Sequence, residues 1–291
     1  MNSRFGGRWT EEKLDLVQKY LTAYSKIMNK RQYKFAYIDA FAGTGYREVA
    51  DLLFDCPQMF PEMRGKETQR FLEGSTRRAL QVKPIFNKYI FIELSKGKAE
   101  QLAKLRDEYP HLKDRIEVVN DNCNSWLQDR CANYNWQQHR AVLFLDPYGM
   151  QVKWETMISI AKTKAVDVLI LFPLGIAINR LLRRDSRINE NIRGCINSLF
   201  GTAEWYEEFY QESYQRGLFS QEKRKEKVVN LESISRYYVK RLKTIFPTEG
   251  VADITKPLLN SKGNPLFHLC FATGNLFAAR TAVKIATDIF K

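Results

Sequence analysis

Tyr37-Ile38-Asp39-Ala40-Phe41-Ala42-Gly43-Thr44-Gly45 is the stretch whose reading decides the fold. The β-prone run from Tyr33 to Phe41 carries an acid at Asp39 and then breaks into glycines, as a strand does when it enters a tight turn. Further short apolar runs follow at Tyr89–Glu93, Ala141–Asp146 and Val166–Phe172, with a weaker one at Ile116–Val119. Continuous runs of this kind suit parallel strands covered by helices on both faces. Glu93 to Asp121 is 28 residues, Asp121 to Asp146 is 25, and Asp146 to Phe172 is 26. One βαβ unit takes roughly 30 residues. The spacing therefore predicts a doubly wound parallel sheet, with Asp39, Glu93, Asp121 and Asp146 at the carboxyl ends of successive strands, where such sheets bind ligands.

One interval departs from that beat. Asp39 to Glu93 is 54 residues, so residues 46–73 are expected to form an insertion over the binding rim. Upstream, Glu11 to Asn29 reads as an amphipathic helix, with Thr10 as its N-cap and Leu14, Val17, Tyr20, Leu21 and Tyr24 at helical spacing. Helices are expected at Lys96–Tyr109, Glu155–Lys162 and Leu174–Arg184. Residues 176–250 are expected to form a mainly helical, basic insertion. Pro257–Leu259, a turn at Asn260–Asn264, and Leu266–Phe271 read as an antiparallel hairpin before a last helix, Leu276–Phe290. The expectation is one α/β domain over 1–291: a Rossmann-like, mainly parallel sheet with a C-terminal antiparallel hairpin and helical insertions.

Composition bounds the function. The chain has 291 residues, 44% hydrophobic and 27% charged, which fits a globular protein and excludes disordered or collagen-like classes. The longest apolar run, Val168–Ile178, has 11 residues and holds Pro173 and Gly175, whereas a spanning helix needs about 20. No apolar stretch follows the basic first residues, so neither a membrane nor an export signal is expected. Five scattered cysteines without CxxC, beside three histidines, argue against a disulfide scaffold or a zinc site. A reduced, cytoplasmic protein is the expectation.

The turn narrows the cofactor. It contains GxG, but Glu48 stands where a dinucleotide fold has its third glycine, and a carboxylate there repels a pyrophosphate. No GKS or GKT follows, which rules out a P-loop. S-adenosylmethionine carries an ammonium, a sulfonium, a ribose diol and an adenine, so its pocket uses carboxylates where a phosphate site uses amides and cations. Asp39, beside Phe41, Gly43 and Gly45, is the candidate acceptor for the ammonium. Glu93 is the candidate for the ribose hydroxyls, and Asp121 with Asn122 for the adenine.

These motifs in this order resemble a known family. The Tyr37–Gly45 stretch, Gly74-Ser75, Phe91-Ile92-Glu93, Leu143-Phe144-Leu145-Asp146-Pro147-Tyr148-Gly149 and Pro265-Leu266-Phe267-His268-Leu269 look like the three-Cys-motif partner family. That resemblance implies a class I methyltransferase-like fold and a neighbouring gene product bearing a three-cysteine motif as a possible partner. Asp146-Pro147-Tyr148-Gly149 is also similar to the Asp-Pro-Pro-Tyr motif of enzymes that methylate exocyclic amino groups, and closer to the Asp-Pro-Phe-Gly of tRNA guanine-N2 dimethyltransferases. It implies that Asp146 and the Pro147 carbonyl accept amino hydrogens and that Tyr148 stacks on the base. The match departs from Asp-Pro-Pro-Tyr by one residue. The physical logic is the same: an exocyclic amine is a weak nucleophile, and a positioned acceptor restores and aligns its lone pair.

The charge balance points to the partner. Lys and Arg number 46 against 33 Asp and Glu, a net +13. Arg77-Arg78, Arg180, Arg183-Arg184, Arg187, the run Lys223–Lys227, and Lys240-Arg241 with Lys243 are candidate phosphate contacts. Two classes of function follow: an S-adenosylmethionine-dependent methyltransferase acting on nucleic acid, and a noncatalytic methyltransferase-like partner of a neighbouring enzyme.

Overall fold

A computed structural model describes residues 8–43, 74–147, 149–216 and 221–291. The strands are β1 (Lys34–Asp39), β2 (Lys88–Glu93), β3 (Ile116–Asn120), β4 (His139–Leu145), β5 (Val166–Phe172), β6 (Tyr210–Arg216), β7 (Gln221–Lys227), β8 (Lys256–Leu259) and β9 (Pro265–Thr273). Seven of them make one sheet in the order β3-β2-β1-β4-β5-β9-β8, while β6 and β7 pair separately. β1 through β5 are mutually parallel, and β9 enters antiparallel against β5 with Phe172 opposite His268. This is the Rossmann-like, class I methyltransferase-like fold. The strand order reverses at β1 and β4, and a crevice opens at such a switch point.

The period-two alternation of the strands sorts their side chains into two cores. On one face Tyr37, Phe91, Phe144, Leu171 and Phe271 meet α1 (Arg8–Met28) and α9 (Ala279–Phe290). On the other, Ile38, Ile92, Leu143, Leu145 and Ile170 meet α4 (Cys123–Asn133), α5 (Trp154–Lys162), α6 (Glu190–Phe200) and α8 (Leu231–Leu242). The central strands are closed on both sides, β5 along its whole length. Burying each such aliphatic or aromatic side chain contributes roughly 1.5–3 kcal/mol. α2 (Ser75–Leu80) packs beside α1, α3 (Lys96–Ala103) lies between β2 and β3, and α7 (Trp205–Phe209) leads into β6. Among the described residues no helix is long and apolar enough to cross a membrane.

Several local expectations change. Thr10 lies inside α1, which already runs from Arg8. The helix expected over Lys96–Tyr109 is interrupted at Lys104 and passes into a 3-10 stretch, Pro110–Arg115. Leu174–Arg184 is a π turn, Leu174–Ile178, followed by a single α turn. Close packing explains it: a Cβ on Gly175 would stand 1.9 Å from the Pro265 carbonyl oxygen, so the chain here is pressed against the start of β9. Glu222–Lys227, inside the 176–250 stretch expected to be mainly helical, is a strand paired antiparallel with β6. Few of its residues favour strands, and the partner strand decides. The expected insertion at 46–73 lies outside the described residues.

Candidate functional site

Asp39 closes β1 and is wholly buried. Its Oδ1 accepts the Phe41 backbone N–H at 3.3 Å and its Oδ2 accepts the Tyr37 hydroxyl at 3.2 Å. The Ser75 hydroxyl, at the start of α2, bonds it as well. Burial raises its pKa to about 6; the Ser75 bond opposes the rise, and the Asp146 charge adds to it. The turn that follows is clamped to the neighbouring strands, with Ala40 N–H donating to the Phe144 carbonyl at 3.1 Å and Ala42 N–H to Ile92 at 3.0 Å. Gly43 is buried in this turn.

Asp146, just past β4, interacts electrostatically with Asp39 on the adjacent strand. Its Oδ2 also pairs with Lys13 Nζ at 2.5 Å. Lys13 comes from α1, its side chain 0% exposed against 16% for Asp146, and its ammonium lies 5.4 Å from the Trp9 ring centroid and 6.0 Å from that of Phe144. Lys13 belongs to none of the sequence motifs. A signal was present: Lys13 stands four residues from both Trp9 and Val17, on the buried stripe of the helix. Pro147 is buried.

On the other face of the rim lies a cleft of about 220 Å³. Ala40 and Phe41, which follow Asp39, line it, as do Ile92 and Leu94, which flank Glu93. Asp121, Asn122, Met150 and Gln151 complete the side nearest α4, and Cys195 with Ser198 reach it from α6. The segment after β5 thus folds back over the rim, which no sequence period announced. Asn124 sets the opposite wall. Its Nδ2 donates to the Gln151 carbonyl at 2.8 Å, while its Oδ1 accepts from Lys153 N–H at 3.0 Å and the Thr156 hydroxyl at 2.8 Å.

The predicted residues divide accordingly. Phe41, Asp121 and Asn122 share the cleft. Asn122 also caps α4, its Oδ1 accepting Asn124 N–H at 2.9 Å and Ser125 N–H at 3.4 Å while its carbonyl accepts the Trp126 N–H at 3.0 Å, so both of its oxygens are engaged in starting the helix. Asp121 is exposed and accepts the Asn122 N–H at 2.6 Å. Glu93 is buried, with Oε1 accepting Ser95 N–H at 2.7 Å. Glu93 and Asp121 both act on Cys123, whose thiol is raised to about 12, chiefly by burial. Asp39 and Asp146 form the other pair, on the α1 side. Gly45 and Tyr148 lie outside the described residues. His268 supports the rim from β9: its Nδ1 meets the Ser235 and Thr255 hydroxyls, each at 2.9 Å, and burial lowers its pKa to about 4, which leaves the ring neutral at physiological pH.

No family model matches the sequence, and no curated protein does. Among solved structures, a Legionella pneumophila protein of the DUF519 family is similar at 12% identity and a TM-score of 0.47, over 94% of this chain and 90% of that one. Spermidine synthase from Thermotoga maritima is similar at 12% identity and a TM-score of 0.38, over 92% of this chain and 60% of the synthase. A proposed S-adenosylmethionine dependent methyltransferase from Listeria monocytogenes is similar at 9% identity and a TM-score of 0.35, over 87% and 97%. At such identities the strand order itself carries the fold.

Proposed function

We propose that this chain is an S-adenosylmethionine-dependent methyltransferase of the three-Cys-motif partner type, that it acts on an exocyclic amino group of a nucleic-acid base as the likeness of Asp146-Pro147-Tyr148-Gly149 to the Asp-Pro-Pro-Tyr motif implies, and that it works in the cytoplasm. The carrying observation is Asp39, a buried carboxylate at the switch point whose anion is disfavoured by burial and by Asp146. Such a group gains from an incoming cation. The cofactor's ammonium has that charge, and the cleft beside it offers apolar walls with a carboxylate at one edge.

In this reading Asp39, with the Phe41 and Gly43 turn, receives the ammonium. Glu93 receives the ribose hydroxyls, and Asp121 with Asn122 orients the adenine edge. When bound, the cofactor supplies an electrophilic methyl group. Asp146 accepts one hydrogen of the target amine, through the oxygen not held by Lys13, and the Pro147 carbonyl accepts the second. Tyr148 stacks on the base. Lys13 fixes the carboxylate and keeps it from rotating.

A noncatalytic reading draws on one observation, that Lys13 already neutralises Asp146. Incubation with bulk RNA or DNA and methyl-labelled cofactor, followed by digestion and mass analysis of nucleosides, separates the two. Methylated nucleosides lost in Asp146→Ala, with cofactor binding retained in calorimetry, support the enzyme. Cofactor binding without transfer to any nucleic acid supports the partner role.

A further inference from the structure

Another cavity among the described residues lies away from the cleft. It is a groove of about 1060 Å³ between the segment that follows β5 and strand β7. Arg184 and Arg187 stand exposed on the first wall, Arg224 exposed and Lys225 half-buried on the second, with Lys227 between them. The walls are joined where Lys227 N–H donates to the Arg184 carbonyl at 3.1 Å and Lys227 Nζ to Asn179 Oδ1 at 2.7 Å. Two carboxylates, Asp185 and Glu226, share the groove, so five cations against two anions leave three positive charges. Asp185 is turned to local use, paired with Arg183 at 3.2 Å and accepting Arg187 N–H at 3.3 Å. Lys225 is held by Glu207 at 2.8 Å. Three of the five cations lining the groove are guanidinium groups, which bind phosphate oxygens two at a time and do not lose their charge.

Its position gives it a direction. The wall carrying Arg184 grows from the end of β5, and β5 pairs with β4, whose Leu145 stands opposite Ile170 and immediately precedes Asp146. We infer that this groove carries the sugar-phosphate backbone of a single-stranded nucleic acid whose base is presented at Asp146. The anion-binding part stands on the charge alone. The single-stranded form rests on the methyltransferase reading, since an amino group reaches a rim carboxylate only when its base is out of a duplex.

The test is fluorescence anisotropy with fluorescein-labelled oligouridine, oligothymidine and a duplex, for the wild type and for a variant carrying Arg184→Glu, Arg187→Glu and Arg224→Glu. Expected are binding of at least one single strand in preference to the duplex and a loss of at least tenfold in the variant. The slope of log affinity against log salt should fall by about 2, as three lost phosphate contacts on a single strand require. Calorimetry of S-adenosylhomocysteine should be unchanged. Ultraviolet crosslinking of a 4-thiouridine oligomer to the wild type should label peptides containing Arg187 and Arg224, which keeps the test open should the variant fold poorly. Equal affinity in variant and wild type, equal or tighter binding of duplex, or displacement by polyglutamate as readily as by oligonucleotide would overturn the inference. Groove-dependent binding without methylated nucleosides would leave the groove as a phosphate-binding site and remove the function proposed above together with the base at Asp146; methyl transfer indifferent to the groove variant would overturn the groove and keep that function.

Discussion

Lys13 Nζ and Asp146 Oδ2 stand 2.5 Å apart across 133 residues of chain, joining a fully buried ammonium on the first helix to a partly exposed carboxylate at the sheet's switch point. The two ends of this pair are not equivalent. Removing the lysine leaves a carboxylate that water still reaches, whereas removing the carboxylate leaves an ammonium among Trp9 and Phe144.

Asp146→Asn should therefore destabilise the protein more than Lys13→Met does. Breaking a buried pair costs about 3–5 kcal/mol, with Lys13→Met at or below the low end. The double variant should recover part of the loss. Urea unfolding of the four proteins measures the cycle, and equal losses in the two single variants would refute the asymmetry.

Cofactor affinity should depend on pH through Asp39. Its pKa of about 6 means the carboxylate is protonated below that value and ionised above it. If the ionised form receives the ammonium, affinity falls about tenfold per pH unit below 6 and levels off above. Titration calorimetry with S-adenosylhomocysteine reads this directly, and Asp39→Asn should bind weakly with a flat profile. A flat wild-type profile would remove Asp39 from that role.

Another buried carboxyl, Asp167, sits at the opposite end of the sheet. Asp167 accepts the Tyr20 hydroxyl at 2.7 Å and the Thr273 hydroxyl at 2.5 Å, and burial raises it from 3.8 to about 6. The folded state binds more protons than the unfolded across that window, so this group's contribution is complete below 3.8 and is lost as pH rises through 6. Relative to wild type, Asp167→Asn should gain about 2 kcal/mol between pH 4 and pH 7. Unfolding curves at both pH values check the sign.

Gly201 ends α6 at φ 67°, and a Cβ there would meet the Trp154 ring at 1.9 Å. Gly201→Ala combines left-handed strain with a clash and should cost about 2–4 kcal/mol. Because α6 brings Cys195 and Ser198 to the cleft, cofactor affinity should fall as well. A urea midpoint within error of wild type would contradict this.

The sheet was legible in the sequence because its strands are short continuous apolar runs, buried on both faces and spaced by one helix each. β2, β4 and β5 end within a residue of where the runs predict, and β1 ends at the acid Asp39, two residues before its run does. The alternation that points Tyr37 and Asp39 to one side and Ile38 and Ala40 to the other is also local. β7 was not legible: Gln221–Lys227 becomes a strand only because β6 offers hydrogen bonds.

At the rim, the sequence by itself determined which residues stand at the strand ends, since those follow from chain spacing and turn chemistry. Only the tertiary structure decided that Asp39 and Asp146 lie together on the α1 side while Asp121 and Asn122 share a cleft roofed by α6. The same holds for Lys13, whose ammonium stays buried because a carboxylate more than a hundred residues away compensates its charge. Local propensity knows nothing of partners so distant in the chain; burial and charge pairing are settled only when the helices close on the sheet.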